Sequence, residues 1–248
     1  MWIFRSRARR SDPRSPPSYG KPGGRVQAAS WRPAARHAGA ALALYAALAL
    51  FPSWAAEPVR IVALGDSLTA GYGLPAEAAF PARLARALAA KGHAVTVENA
   101  GVSGDTASGG LARLDWSVPE GTDAVIVELG ANDALRGIDP RATRGALDEI
   151  VRRLKARGIA VLLAGMRAPP NMGEDYARAF DAIYPELAAA HRIPLYPFFL
   201  DGVAADRTLN QGDGIHPTAA GVEAIVAGIL PKVEELIAQA QAQAKRGT

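Results

Sequence analysis

Residues 59–73 read VRIVALGDSLTAGYG, an apolar run followed at once by a turn of small and polar residues around a single serine, Ser67. The run has the length and β-branched content of a buried strand, and the turn that follows suits the start of a helix. Four further runs of the same kind recur along the chain: AVTVE (94–98), AVIVEL (124–129), IAVLLA (159–164) and the weaker IPLYPF (193–198). Longer segments of helical period separate them. In DPRATRGALDEIVRRLKARG (139–158), Asp139 is placed to cap and Pro140 suits the first helical position. Leu147, Ile150, Val151 and Leu154 then share one face, and Gly158 closes the segment. Phe80, Leu84 and Leu88 repeat every fourth residue before Gly92. Strands alternating with helices predict a three-layer α/β/α fold of flavodoxin-like type, with a central parallel sheet of about five strands.

In an open parallel sheet, ligands bind beyond the carboxyl ends of the strands. Ser67 lies just past the first run, NAGVSGDT (99–106) past the second and LGANDALRG (129–137) past the third. Three polar, glycine-rich loops therefore fall on one rim.

The net charge of +4 is unevenly distributed. Residues 1–56 hold nine basic residues against the single acid Asp12, a surplus of eight, while the remainder holds 19 basic and 23 acidic residues and so carries −4. A mildly acidic body offers no phosphate-tracking face, so a nucleic-acid partner is not expected. The basic arm instead runs into the apolar stretch AGAALALYAALALF (38–51) and then FPSWAAEP, with Ser53 and Ala55 at the −3 and −1 positions of a small-x-small cleavage site. The stretch has 14 residues, whereas a membrane-spanning helix needs about 20, so a stable membrane anchor is not expected. This layout predicts a basic leader and signal peptide over residues 1–55, export to the periplasm or the medium, a single domain over 56–238, and a polar tail over 239–248 whose QAQAQAKR repeat reads as frayed. The chain has no cysteine, which excludes a disulfide framework, a thiol nucleophile and a lipoprotein anchor. No feature of the sequence specifies an oligomeric state.

A serine hydroxyl becomes a useful nucleophile only when a base takes its proton, and that base works best when a third group orients it. Of the four histidines, His37 lies in the leader, and His93 and His191 sit beside helix ends in surface-like settings. His216 differs: it lies in GDGIHPTAAG (212–221), three residues after Asp213, a spacing that lets the carboxylate reach Nδ1 and leaves Nε2 free. Attack on a carbonyl also needs donors for the oxyanion. Gly104 in VSGDT and Asn132 in GAND can supply a backbone N–H and a side-chain amide, with the Ser67 N–H as a third donor. Asp66, Asp105 and Asp133 read as turn and cap acceptors rather than metal ligands, because no histidine or second carboxylate has ligand spacing with them. No phosphate-binding or dinucleotide fingerprint appears, and no G-x-S-x-G; no cofactor and no metal are expected. Tyr72, Met172 and Tyr176 are candidates for lining a substrate pocket.

The ordered blocks GDSL (65–68), Gly104, GAND (130–133) and DGIH (213–216) resemble those of the SGNH, or GDSL, hydrolases. The longer segments SGDTASGGLARL, VELGANDALRG, AIYPEL, PLYPFFL and DGIHP resemble the thioesterase I, lysophospholipase and arylesterase branch, over most of 59–225. The resemblance implies strand order 2-1-3-4-5, Ser67 as nucleophile, Gly104 and Asn132 as oxyanion donors, and Asp213 with His216 completing a triad. It implies hydrolysis of a small-molecule ester or thioester through an acyl-serine. It leaves Ala131 and RAPPNMGEDY (167–176) as the places where substrate preference varies. A carbohydrate O-deacetylase would use the same machinery, and a non-catalytic lipid- or glycan-binding module is the third reading.

Overall fold

The computed structural model describes residues 57–247; the leader expected over 1–55 lies outside them. Strands β1 (Val59–Gly65), β3 (Ala124–Glu128) and β4 (Ala160–Ala164) are buried almost throughout. Helical layers cover both of their faces, so their sequences are continuous apolar runs rather than alternating ones. Strand β2 (Val95–Gly101) pairs only with β1 and alternates between half-buried and exposed positions, as an edge strand should. The fifth run gives only β5 (Leu195–Tyr196), paired with Leu163 and Ala164 of β4. Pro194 and Pro197 flank it, and neither can donate to a ladder. All pairings are parallel, in the order β2-β1-β3-β4-β5 that the resemblance implies.

Helices α1 (Ser67–Ala70) and α2 (Phe80–Ala90) connect β1 to β2; α3 (Ala107–Ala112) and α4 (Leu114–Ser117) lead to β3. Helices α5 (Ala131–Leu135) and α6 (Pro140–Ala156) lead to β4, and α7 (Glu174–Asp181) and α8 (Ile183–His191) to β5, before the last helix, α9 (Ala219–Gly247). Helices α2 and α9 pack together over one face of the sheet, and α3, α6 and α8 form the opposite layer. The α6 boundaries follow local chemistry. Asp139 accepts from the Arg141 N–H at 2.9 Å, Pro140 opens the helix, and Gly158, at φ 74°, turns the chain away. Its expected apolar face, Leu147, Ile150, Val151 and Leu154, is fully buried.

The expected polar tail is corrected for residues 239–247, which continue α9 without a break. Alanine and glutamine are strong helix formers. Ala240 falls on the same face as Val233, Leu236 and Ile237, all of them buried, so the polar repeat still contributes to the core.

Phe80, Leu84 and Leu88 are fully buried, and the Phe80 ring meets Phe199 edge-on with centroids 5.0 Å apart. Phe80→Ala is expected to lower unfolding stability by about 3–5 kcal/mol in urea denaturation. A loss below about 1 kcal/mol would mean that the α2 layer is not packed as described.

Candidate active site

The register of the sheet brings the expected site loops to one level. Gly65, the last residue of β1, lies opposite Gly101 of β2 and Glu128 of β3. Two residues later comes Ser67, three after Gly101 comes Gly104, and four after Glu128 comes Asn132.

Ser67 does not cap the helix it opens. Asp66 does: its Oδ1 accepts from the Leu68 N–H at 3.0 Å, which leaves the serine hydroxyl free for another partner. That partner is His216, whose Nε2 lies 2.9 Å from Ser67 Oγ. On the other side of the ring, Nδ1 lies 2.6 Å from Asp213 Oδ2. A carboxylate only accepts, so Nδ1 carries the ring proton and Nε2 is the acceptor that faces Ser67. Asp213 Oδ1 accepts from the N–H groups of Ile215 and His216, each at 3.0 Å. These two backbone bonds and the imidazole hold the Asp213 carboxyl down at about 2.

The histidine loop is tied to the serine loop by a residue that the sequence did not single out. Gln211 Nε2 donates to the carbonyls of Tyr72 at 2.7 Å and Pro217 at 3.0 Å. The Tyr72 ring lies over His216, with centroids 4.5 Å apart.

Each of the three expected oxyanion donors keeps an N–H that no protein group among the described residues accepts. Among the described residues, neither the Ser67 N–H nor the Gly104 N–H donates to a protein group. Gly104 sits at φ 84°, a backbone conformation that glycine adopts readily, while its carbonyl accepts from Arg136 Nη2 at 2.8 Å. Asn132 Nδ2 donates to Asp66 Oδ2 at 3.1 Å, which orients the amide and leaves its second N–H unused.

Beneath the serine turn lies a buried polar junction. Glu128 is fully buried, and its Oε2 accepts from Thr69 Oγ1 at 2.7 Å and from the Asp66 N–H at 3.3 Å. Gly65 is required here by space: a Cβ would come within 2.1 Å of Thr69 Oγ1 and 2.6 Å of Glu128 Oε2. Burial raises the Asp66 carboxyl to about 6. Burial, with the Asp66 charge beside it, holds Glu128 well above the usual carboxylate range. Its Oε1 has no hydrogen-bond partner, an arrangement that suits a neutral acid far better than an anion.

The other acids also support the loops. Asp133 accepts from Thr143 Oγ1 and from the Ala107 N–H, both at 2.9 Å. Asp105 departs from its expected turn role and pairs with Arg113 Nε at 2.6 Å. Arg113 in turn donates to the Ala100 and Gly65 carbonyls, each at 2.8 Å, and so clamps the ends of β2 and β1 together. His93 and His191 face Glu234 and Asp148 at 3.0 and 2.7 Å, away from this rim.

A cavity of about 500 Å³ opens from Ser67, Asn132 and His216 between apolar walls that include Leu68, Leu135, Phe198 and Ile215. The expected pocket residues are corrected: none of Tyr72, Met172 and Tyr176 lines it. Tyr72 covers His216 from outside, and Met172 lies against Gly137. The Tyr176 hydroxyl donates to the Ile138 carbonyl at 2.9 Å, and its ring stacks on Phe180. The 167–176 segment contributes Arg167 to Pro170 instead, and Ala131 also lines the wall.

Residues 63–224 match the GDSL-like lipase/acylhydrolase family. The esterase TesA of Pseudomonas aeruginosa is 39% identical over 192 residues, which covers 77% of this chain and 95% of that protein. The thioesterase 1/protease 1/lysophospholipase L1 of Escherichia coli is 43% identical over 175 residues, covering 70% of this chain and 82% of the relative. Among solved structures, AlinE4, an SGNH-hydrolase family esterase, superposes with a TM-score of 0.62 at 47% identity, over 72% of this chain and 96% of its own.

An acid whose folded pKa is raised contributes stability below its unfolded value and loses it as pH rises through the folded one. Glu128→Gln keeps an acceptor for Thr69 and Asp66 and removes the titration. The urea midpoint of the variant relative to the wild type should therefore climb steadily as pH is raised from 4.5 to 8. A difference independent of pH would show that Glu128 is not held as a neutral acid.

Proposed function

This chain belongs to the GDSL-like lipase/acylhydrolase family, and from that membership we infer that it is a carboxylic ester hydrolase working through an acyl-serine on Ser67. The observation that carries this reading is the hydrogen-bonded chain from Ser67 through His216 to Asp213 at the mouth of an apolar cavity.

In the proposed mechanism Ser67 Oγ attacks the ester carbonyl while Nε2 of His216 takes the hydroxyl proton. Asp213, held as an anion by its two backbone donors, stabilises the imidazolium and keeps the ring oriented. The negative charge that develops on the carbonyl oxygen falls to the Ser67 and Gly104 N–H groups and the free N–H of Asn132. Collapse of the tetrahedral intermediate breaks the bond to the alkoxide or thiolate, which leaves with the proton from His216. Water, deprotonated by the same imidazole, then attacks the acyl-serine and releases the carboxylic acid. The names of similar proteins, an arylesterase of Vibrio mimicus at 42% identity over 159 residues and the thioesterase/lysophospholipase of Escherichia coli, make aryl esters, acyl thioesters and lysophospholipids the candidate substrates. An apolar cavity supports an acyl group over a sugar ring, and no observation favours a carbohydrate O-deacetylase or a binding module.

Among the described residues no helix is long and apolar enough to cross a membrane. Residues 1–55 are proposed as an export signal removed before Ala56, on their basic, apolar and small-x-small layout. N-terminal sequencing of protein recovered outside the cytoplasm should read AEPVRI; an intact leader on exported protein would refute cleavage there.

Hydrolysis of p-nitrophenyl acetate through decanoate tests the main reading. Ser67→Ala should fall below about 10⁻⁴ of wild-type turnover, and Asn132→Ala should lose about 10²–10³ in kcat. Undiminished turnover in Ser67→Ala would remove the acyl-serine, and an unchanged kcat in Asn132→Ala would remove its oxyanion role alone.

A further inference from the structure

The cavity wall carries one fixed charge. Apart from the titratable His216, every side chain that lines it is neutral except Arg167. Among the described residues this guanidinium pairs with no carboxylate and makes no hydrogen bond; its one contact of this kind is with the Phe198 ring, 4.9 Å from Cζ to the centroid. Its backbone is held in place, because the next N–H, that of Ala168, donates to Asp181 Oδ1 at 2.8 Å. A guanidinium laid on an aromatic face keeps its planar fork of donors available, and the fork matches a carboxylate or phosphate in two-point geometry. Arg167 is itself exposed where it lines the cavity, so its charge reaches a bound substrate across partly screening solvent.

Position sets what the charge can recognise. Gly65, Glu128 and Ala164 are in register across β1, β3 and β4. Ser67 follows Gly65 by two residues and Arg167 follows Ala164 by three, so the strand ends from which they depart are two strand spacings, about 10 Å, apart. An anion at Arg167 would belong to the same molecule as the scissile carbonyl but lie several atoms from it.

We propose that Arg167 is a specificity-determining residue that binds an anionic group of the substrate, so that esters bearing a carboxylate or phosphate at a distance from the reacting carbonyl are favoured over neutral ones. This assignment rests on the ester-hydrolase reading of the same cavity. The anion can sit on the acyl chain or on the leaving group, and the two are separable by substrate.

The test compares full-length wild type with Arg167→Gln on three esters: neutral p-nitrophenyl octanoate, mono-p-nitrophenyl suberate with a carboxylate on the acyl end, and 4-carboxyphenyl octanoate with one on the leaving group. The fall in kcat/KM on one of the charged esters should exceed the fall on the neutral ester by about tenfold or more. It should appear chiefly in KM and shrink as salt is raised; the ester that responds identifies the part that carries the anion. Equal falls on all three esters, or none, would overturn the assignment and leave Arg167 as wall. If wild type hydrolyses none of the three, the ester-hydrolase reading fails by itself. Arg167 is then judged by calorimetric binding of suberate and octanoate: suberate weakened tenfold more than octanoate in the variant sustains it, and equal weakening overturns it.

Discussion

The parallel register at the carboxyl end of β1 governs the rest of the site. Because Gly65 lies level with Gly101 on one side and Glu128 on the other, the three loops that follow start from the same height on the sheet. Ladder hydrogen bonds and a core buried on both faces hold that register, and a slip of one residue would move every side chain to the opposite face of the sheet. Arg113 reinforces it from above by bonding the carbonyls of Gly65, the last residue of β1, and Ala100, the last but one of β2. The serine turn therefore starts from a buried strand end paired on both sides, which suits a proposed nucleophile that must meet a base arriving from a distant segment.

Rigidity is obtained there by placing polar groups where they are expensive. Asp66, Thr69 and Glu128 are all fully buried under Ser67. Asp66 serves two partners, the Leu68 N–H through Oδ1 and the Asn132 amide through Oδ2. Each such bond fixes one orientation, and together they position the serine turn and the amide relative to each other. Glu128 accepts two of these bonds with one oxygen and leaves the other without a partner. The junction thus accepts a local cost in stability for a fixed geometry at the rim, as functional sites commonly do.

Much of this architecture was legible in the residues. Continuous apolar runs identified β1, β3 and β4 because burial on both faces removes alternation. The caps of α6 were readable because Asp139, Pro140 and Gly158 act on their own backbone. Other features depended on neighbours far away in the chain. IPLYPF has strand composition, yet its prolines leave only two residues paired. The QAQAQAKR repeat is polar, yet helix propensity and one buried alanine keep it in α9. Tyr72, Met172 and Tyr176 lie in the right loops, but a loop position does not say which way a side chain points. Tyr72 lies exposed over His216, Met172 and Tyr176 pack against neighbouring loops, and Arg167 with its neighbours took the wall.

The sequence by itself determined the strand and helix period, the turn chemistry and the types of group available for acyl transfer, because all of these act over a few residues. It also supplied the Asp213 to His216 pairing, which spans a single turn. Only the tertiary structure decided that His216 meets Ser67 across 149 residues of chain, that Gln211 joins their loops, and that Asp66 holds Asn132. Those distances come from sheet register and layer packing, which are properties of the whole core and are written in no short segment of the sequence.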